Sequence, residues 1–110
     1  MKQETINKLC DCGVLAVLRA PNPEMAIHIA EAIVPSGVVG LEITYTVPGA
    51  GNVIKTLHND PRFSSCLVGA GTVLDEKTAK DAISNGAPSS YRRRLIRWLR
   101  RSRMPRTFLI

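Results

Sequence analysis

Three short apolar runs, Val14 to Leu18 (VLAVL), Gly40 to Thr44 (GLEIT) and Leu67 to Ala70 (LVGA), begin about 26 residues apart and are separated by stretches with helical spacing. Strands that alternate with helices at this interval pair in parallel, because each crossover must return the chain to the same end of the sheet. The interval matches one unit of a βα barrel. The runs are rich in Val, Leu and Ile, as suits strands covered on both faces.

The intervening helices are expected over about Pro23 to Pro35, Gly49 to Asn59 and Asp75 to Asn85. Asn22 is placed to cap the first, with Pro23 at its first position and Glu24 in its first turn. Asp75 and Glu76 suit the positive end of the third. Gly37 and Gly86 supply left-handed stops. A further short helix is expected over residues 2 to 10, with Ile6 and Cys10 on one face, covering the bottom of a barrel.

After Gly86-Ala87 the alternation requires a fourth strand, yet the chain continues PSSYRRRLIRWLRRSRMPRTFLI. Tyr91, Leu95, Trp98 and Leu99 fall at helical spacing, so residues up to about Met104 read as an Arg-rich amphipathic helix that Pro105 ends. Charge divides at the same point. Of the 15 Lys and Arg and 9 Asp and Glu, residues 1–87 hold seven basic and all nine acidic, a net of −2, and residues 88–110 hold eight Arg and no acid, a net of +8. The sum is the overall +6, so the basic balance belongs to the tail alone. The domain reading is therefore 1–87 for the βα part and 88–110 for an unrelated basic tail, of the composition expected from a shifted reading frame or a fusion.

Cys10, Cys12 and Cys66 are odd in number and follow no secretory leader, which argues against a disulfide framework and for the cytoplasm. Cys10-x-Cys12 is too short for a zinc or redox pair, and His28 and His58 lack ligand-like neighbours, so no metal site is expected. No apolar run reaches the roughly 20 residues that span a bilayer, so no membrane partner is expected either.

In βα barrels chemistry gathers where strands end, which selects Arg19, Glu42 with Thr44, and the turn Gly69 to Thr72. Glu42 stands inside an apolar run. Desolvation there would raise its pKa and suit it to proton transfer near neutral pH; the alternative is a carboxylate that merely pairs with Arg19 or a nearby Lys. Gly69-x-Gly71-Thr72 reads either as amides exposed ahead of a helix, open to a carboxylate or phosphate, or as a tight turn. Arg19 is open to two readings as well, an anion holder or an ordinary surface pair.

VLAVLRA, GLEITYTVPGA and LVGAGTVLDEKTAKDAISNGA, in this order and spacing, resemble the bacterial KHG/KDPG aldolases over residues 1–87. The resemblance implies a class I aldolase on a (β/α)8 TIM barrel, of which this chain would hold the first three βα units. It implies cleavage of 2-dehydro-3-deoxy-6-phosphogluconate or 4-hydroxy-2-oxoglutarate to pyruvate and an aldehyde through a lysine Schiff base, without cofactor or metal. It gives Glu42 the role of general acid and base, Thr72 that of holding the pyruvate carboxylate, and Arg19 a place at the mouth of the site. It also implies a homotrimer for full-length members, an assembly not expected of this chain.

Two departures qualify the implied activity. Thr46 stands where many members place a carboxylate-binding Arg. The family's Schiff-base lysine lies on a later strand, and none of Lys2, Lys8, Lys55, Lys77 or Lys80 falls at a strand end, so the chain by itself is expected to be inactive and, with two unpaired sheet edges, prone to aggregate. A second class of function is a small α/β scaffold whose Arg-rich tail binds nucleic acid or acidic surfaces, although no recognised nucleic-acid motif is present. A third is a complete α/β protein that grips phosphate at Gly69 to Thr72.

Overall fold

The computed structural model describes residues 2–87. The Arg-rich helix expected before Pro105, the basic tail 88–110 and its nucleic-acid reading lie outside the described residues.

Three parallel strands, β1 (Leu15–Leu18), β2 (Gly40–Thr44) and β3 (Leu67–Gly71), form one sheet in the order β1-β2-β3. Helix α1 (Lys2–Cys12) precedes β1, α2 (Pro23–Ile33) joins β1 to β2, α3 (Ala50–Asn59) joins β2 to β3, and α4 (Glu76–Ser84) follows β3. This is the expected α/β alternation. Strand pairing sets Val17 opposite Glu42 and Glu42 opposite Gly69, so these three share one face, and Leu18, Ile43 and Ala70 share the other.

The core lies between that second face and the helices. Leu18, Leu41 and Ile43 are buried against Ala26 and Ala30 of α2 and Val53, Ile54 and Leu57 of α3. Each large side chain so buried contributes about 1.5–3 kcal/mol. Phe63, from a short 3-10 turn (Pro61–Phe63) that the sequence pattern does not announce, joins the same cluster.

Caps fix the helix ends. Asn22 accepts from the Met25 amide at 2.8 Å, as expected, and Asp75 accepts from the Thr78 amide at 2.7 Å. The first long helix stops at Ile33, short of the expected Pro35. Proline has no amide to continue the ladder, and a 3-10 turn (Val34–Ser36) closes on Gly37 instead. At the end of α4 the Gly86 amide donates to Ile83 O and the Ala87 amide to Ala82 O, with Gly86 at φ 107°. These paired bonds are a Schellman ending, which requires the left-handed glycine.

The expectation that the strands are covered on both faces is met by β2, which is buried at all five residues, and not, among the described residues, by β1. Val17 of β1 is 41% exposed. α2 and α3 pack against each other, which places both crossovers over one face, and β1 is an edge strand of the sheet, so Val17 on the opposite face stays open while Glu42 and Thr44 on the central strand are buried.

Candidate active site

Because the strands are parallel, their C-terminal ends lie together, and the candidate residues follow from that. Arg19 is the first residue after β1, Glu42 lies in the centre of β2, Thr44 ends it, and Thr72 is the first residue after β3.

Glu42 is 8% exposed, on the sheet face opposite α2 and α3. Burial, the larger effect, pushes its carboxyl above the ordinary carboxylate range, and the positive charge of Arg19 pulls it partly back. Among the described residues no Lys, Arg or His lies within 4 Å of the Glu42 carboxylate. Arg19 therefore acts on Glu42 through the field, without an ion pair. Its own side chain is at the exposed end of β1.

Thr44 is fully buried, and its hydroxyl donates to Leu18 O at 3.1 Å, locking the ends of β1 and β2 together. That bond uses its single proton, so the Thr46 hydroxyl, 2.6 Å away, is the donor to Thr44 Oγ1. Thr46 is turned back onto the strand end.

Thr72 adopts φ 54°, a conformation that costs a β-branched residue about 1–3 kcal/mol. It is held there by its neighbours: Gly71 O accepts from the Tyr45 amide at 2.9 Å, and Val73 is buried. Among the described residues no other non-glycine residue has a positive φ.

The Gly69-x-Gly71 pair differs from both readings of the sequence. It lies inside β3, not in a loop ahead of a helix, and its residues pair with Glu42 and Thr44. A side chain at Gly71 would overlap the carboxylate of Glu42. The signal was present in the sequence as a period of two: once β2 and β3 are put in register, Gly69 and Gly71 fall on the face of Glu42.

The lysines are elsewhere. Lys2 and Lys8 lie in α1, Lys55 in α3, and Lys77 and Lys80 in α4. Among the described residues no group of three or more His, Cys, Asp or Glu is gathered to hold a metal ion, and no helix is long and apolar enough to cross a membrane.

Residues 5–90 match the family model for KDPG and KHG aldolases. A 2-dehydro-3-deoxy-phosphogluconate aldolase of Haemophilus influenzae is 31% identical over 86 residues, which is 77% of this chain and 39% of that relative. The chain thus spans about two-fifths of the length of the curated relative it matches.

Proposed function

Since the chain belongs to the KDPG and KHG aldolase family, we propose that its strand ends carry the carboxylate-binding and proton-transfer part of a class I aldolase site. The reaction is cleavage of a 2-keto acid, 2-dehydro-3-deoxy-6-phosphogluconate or 4-hydroxy-2-oxoglutarate, to pyruvate and an aldehyde. The three βα units are then the first three of a (β/α)8 barrel. All the site residues named here lie within residues 1–87.

The observation that carries this reading is the single buried carboxylate, Glu42, raised in pKa and seated one residue from the strained Thr72. In aldol cleavage the substrate hydroxyl loses its proton as the carbon–carbon bond breaks, and the electron pair flows into the iminium formed with a lysine. A carboxylate takes that proton and then, as an acid, delivers it to the new carbanion-like carbon, which becomes the pyruvate methyl group. A carboxyl with its pKa shifted toward neutrality serves both directions better than an ordinary one. Thr72 presents its hydroxyl and amide to the pyruvate carboxylate, and Arg19 attracts the anionic substrate to the mouth of the site.

The nucleophile is the missing part. All five lysines are on helices, away from the strand ends, so this chain alone is proposed to have no turnover. Incubation with 2-dehydro-3-deoxy-6-phosphogluconate and borohydride is expected to give neither pyruvate nor a reduced adduct. An adduct on any of the five lysines would overturn the proposed inactivity.

A further inference from the structure

Gly71 is not in a left-handed conformation, so nothing in its backbone excludes a side chain. Space does. A Cβ built there overlaps Glu42 Oε1 and comes within 2.6 Å of Glu42 Cδ and 2.8 Å of Cγ. Glu42 leans along β2 toward the end of β3 and fills the volume that the glycine leaves. Its cross-strand neighbour on the other side is Val17, which bears a full side chain, whereas on the β3 side the neighbours are Gly69 and Gly71. The seat of the carboxylate is therefore built from two glycines of one strand.

We propose that Gly71 is a positioning residue: its missing side chain is the recess that holds the Glu42 carboxylate against the β3 backbone and beside Thr72. The inference deepens the aldolase reading and rests on it for the meaning of Glu42, but the recess itself is a property of the packing. An alanine at 71 forces the carboxylate either toward β1, nearer Arg19, or out toward water. Both displacements favour the charged form, the first by attraction and the second by hydration. The direction of the effect is thus fixed whichever route is taken. An ordinary packing glycine would have no such influence on the acidity of one carboxyl group.

The test uses the full chain, with the Glu42 carboxyl followed by carbon NMR as pH is varied. Gly71→Ala is expected to lower its midpoint by about half a pH unit or more. An unchanged midpoint in the folded variant overturns the proposal. Urea unfolding supplies a second measurement should the variant fold poorly. Gly71→Ala should lower the urea midpoint when Glu42 is present and leave it equal or raise it in the Glu42→Ala background, where the recess is empty and alanine is the better strand residue. An equal loss in both backgrounds contradicts the recess. Pyruvate added to the unmodified chain separates the two ideas: a lowered Glu42 midpoint in Gly71→Ala with no pyruvate response at the Thr72 amide leaves the positioning intact and removes the aldolase reading.

Discussion

The Tyr45 hydroxyl donates to Asp81 Oδ2 at 2.8 Å, which ties the residue after β2 to the middle of α4 across 36 positions of sequence. Burial first and the Asp81 carboxylate second push the phenol well above its ordinary range, so it remains a donor at any pH at which the protein would be handled. Tyr45→Phe is expected to cost about 1 kcal/mol, by the same amount between about pH 5 and pH 9. Urea midpoints at both ends of that range check it, and a loss that vanishes at pH 5 would mean that the bond is not what the hydroxyl contributes.

Glu42 predicts a pH dependence of opposite sign to the usual acid unfolding. Its folded pKa is above the ordinary value of 4.5, so the folded state binds the proton more tightly and stability falls as pH rises from that value through the folded one. The carboxylates of Glu4, Asp60 and Asp75 are held below their ordinary range by Lys8, Arg62 and the Thr78 amide respectively, so they act in the opposite sense, with a contribution that is complete only above their ordinary values and is lost as pH falls. Glu42→Gln should remove the decline that begins near the ordinary value of 4.5, and Arg19→Ala should extend it to higher pH. Urea midpoints for the three proteins above that value decide the matter; the same pH profile for the unmodified chain and Glu42→Gln contradicts the burial.

Thr72 separates stability from binding. Thr72→Gly relieves the left-handed strain at the cost of chain entropy, for a net gain of about 0.5–1 kcal/mol, while removing the hydroxyl proposed to hold pyruvate. The expected result is a protein that melts higher and binds pyruvate about tenfold more weakly, a loss of about 1.4 kcal/mol. Undiminished pyruvate binding in this variant would remove Thr72 from the site.

Gly86→Ala should cost about 1–2 kcal/mol, since alanine is strained at φ 107° and its Cβ would also stand 2.9 Å from the ring of His58. Restoring part of the loss with His58→Ala in the same chain would show that the ring shares in it; the strain remains as the rest.

Much of the fold is legible in the residues because local signals and burial agree. The run GLEIT is β2 to the residue, and Asn22-Pro23 and Asn85-Gly86 mark helix ends that the capping bonds then fix. Pro35 was misplaced by the helical spacing of its neighbours, which carries no information about a missing amide. Phe63 was not foreseen as core because a single 3-10 turn has no periodicity to read. At the site, Glu42 was conspicuous as a charge in an apolar run. Gly71 and the hydroxyl pair of Thr44 and Thr46 were not, because their significance depends on the register of β2 against β1 and β3, which no spacing within one segment contains.

The ends of β2 and β3 are proposed to bind the pyruvate carboxylate beside Glu42, independently of any lysine. This binding is tested most directly by adding pyruvate to the full chain and following the backbone amides by NMR. Saturable shifts centred on Gly71, Thr72 and Val73, lost in Thr72→Gly, are the predicted result. Shifts confined to other surfaces, or none at all at millimolar pyruvate, would contradict the account.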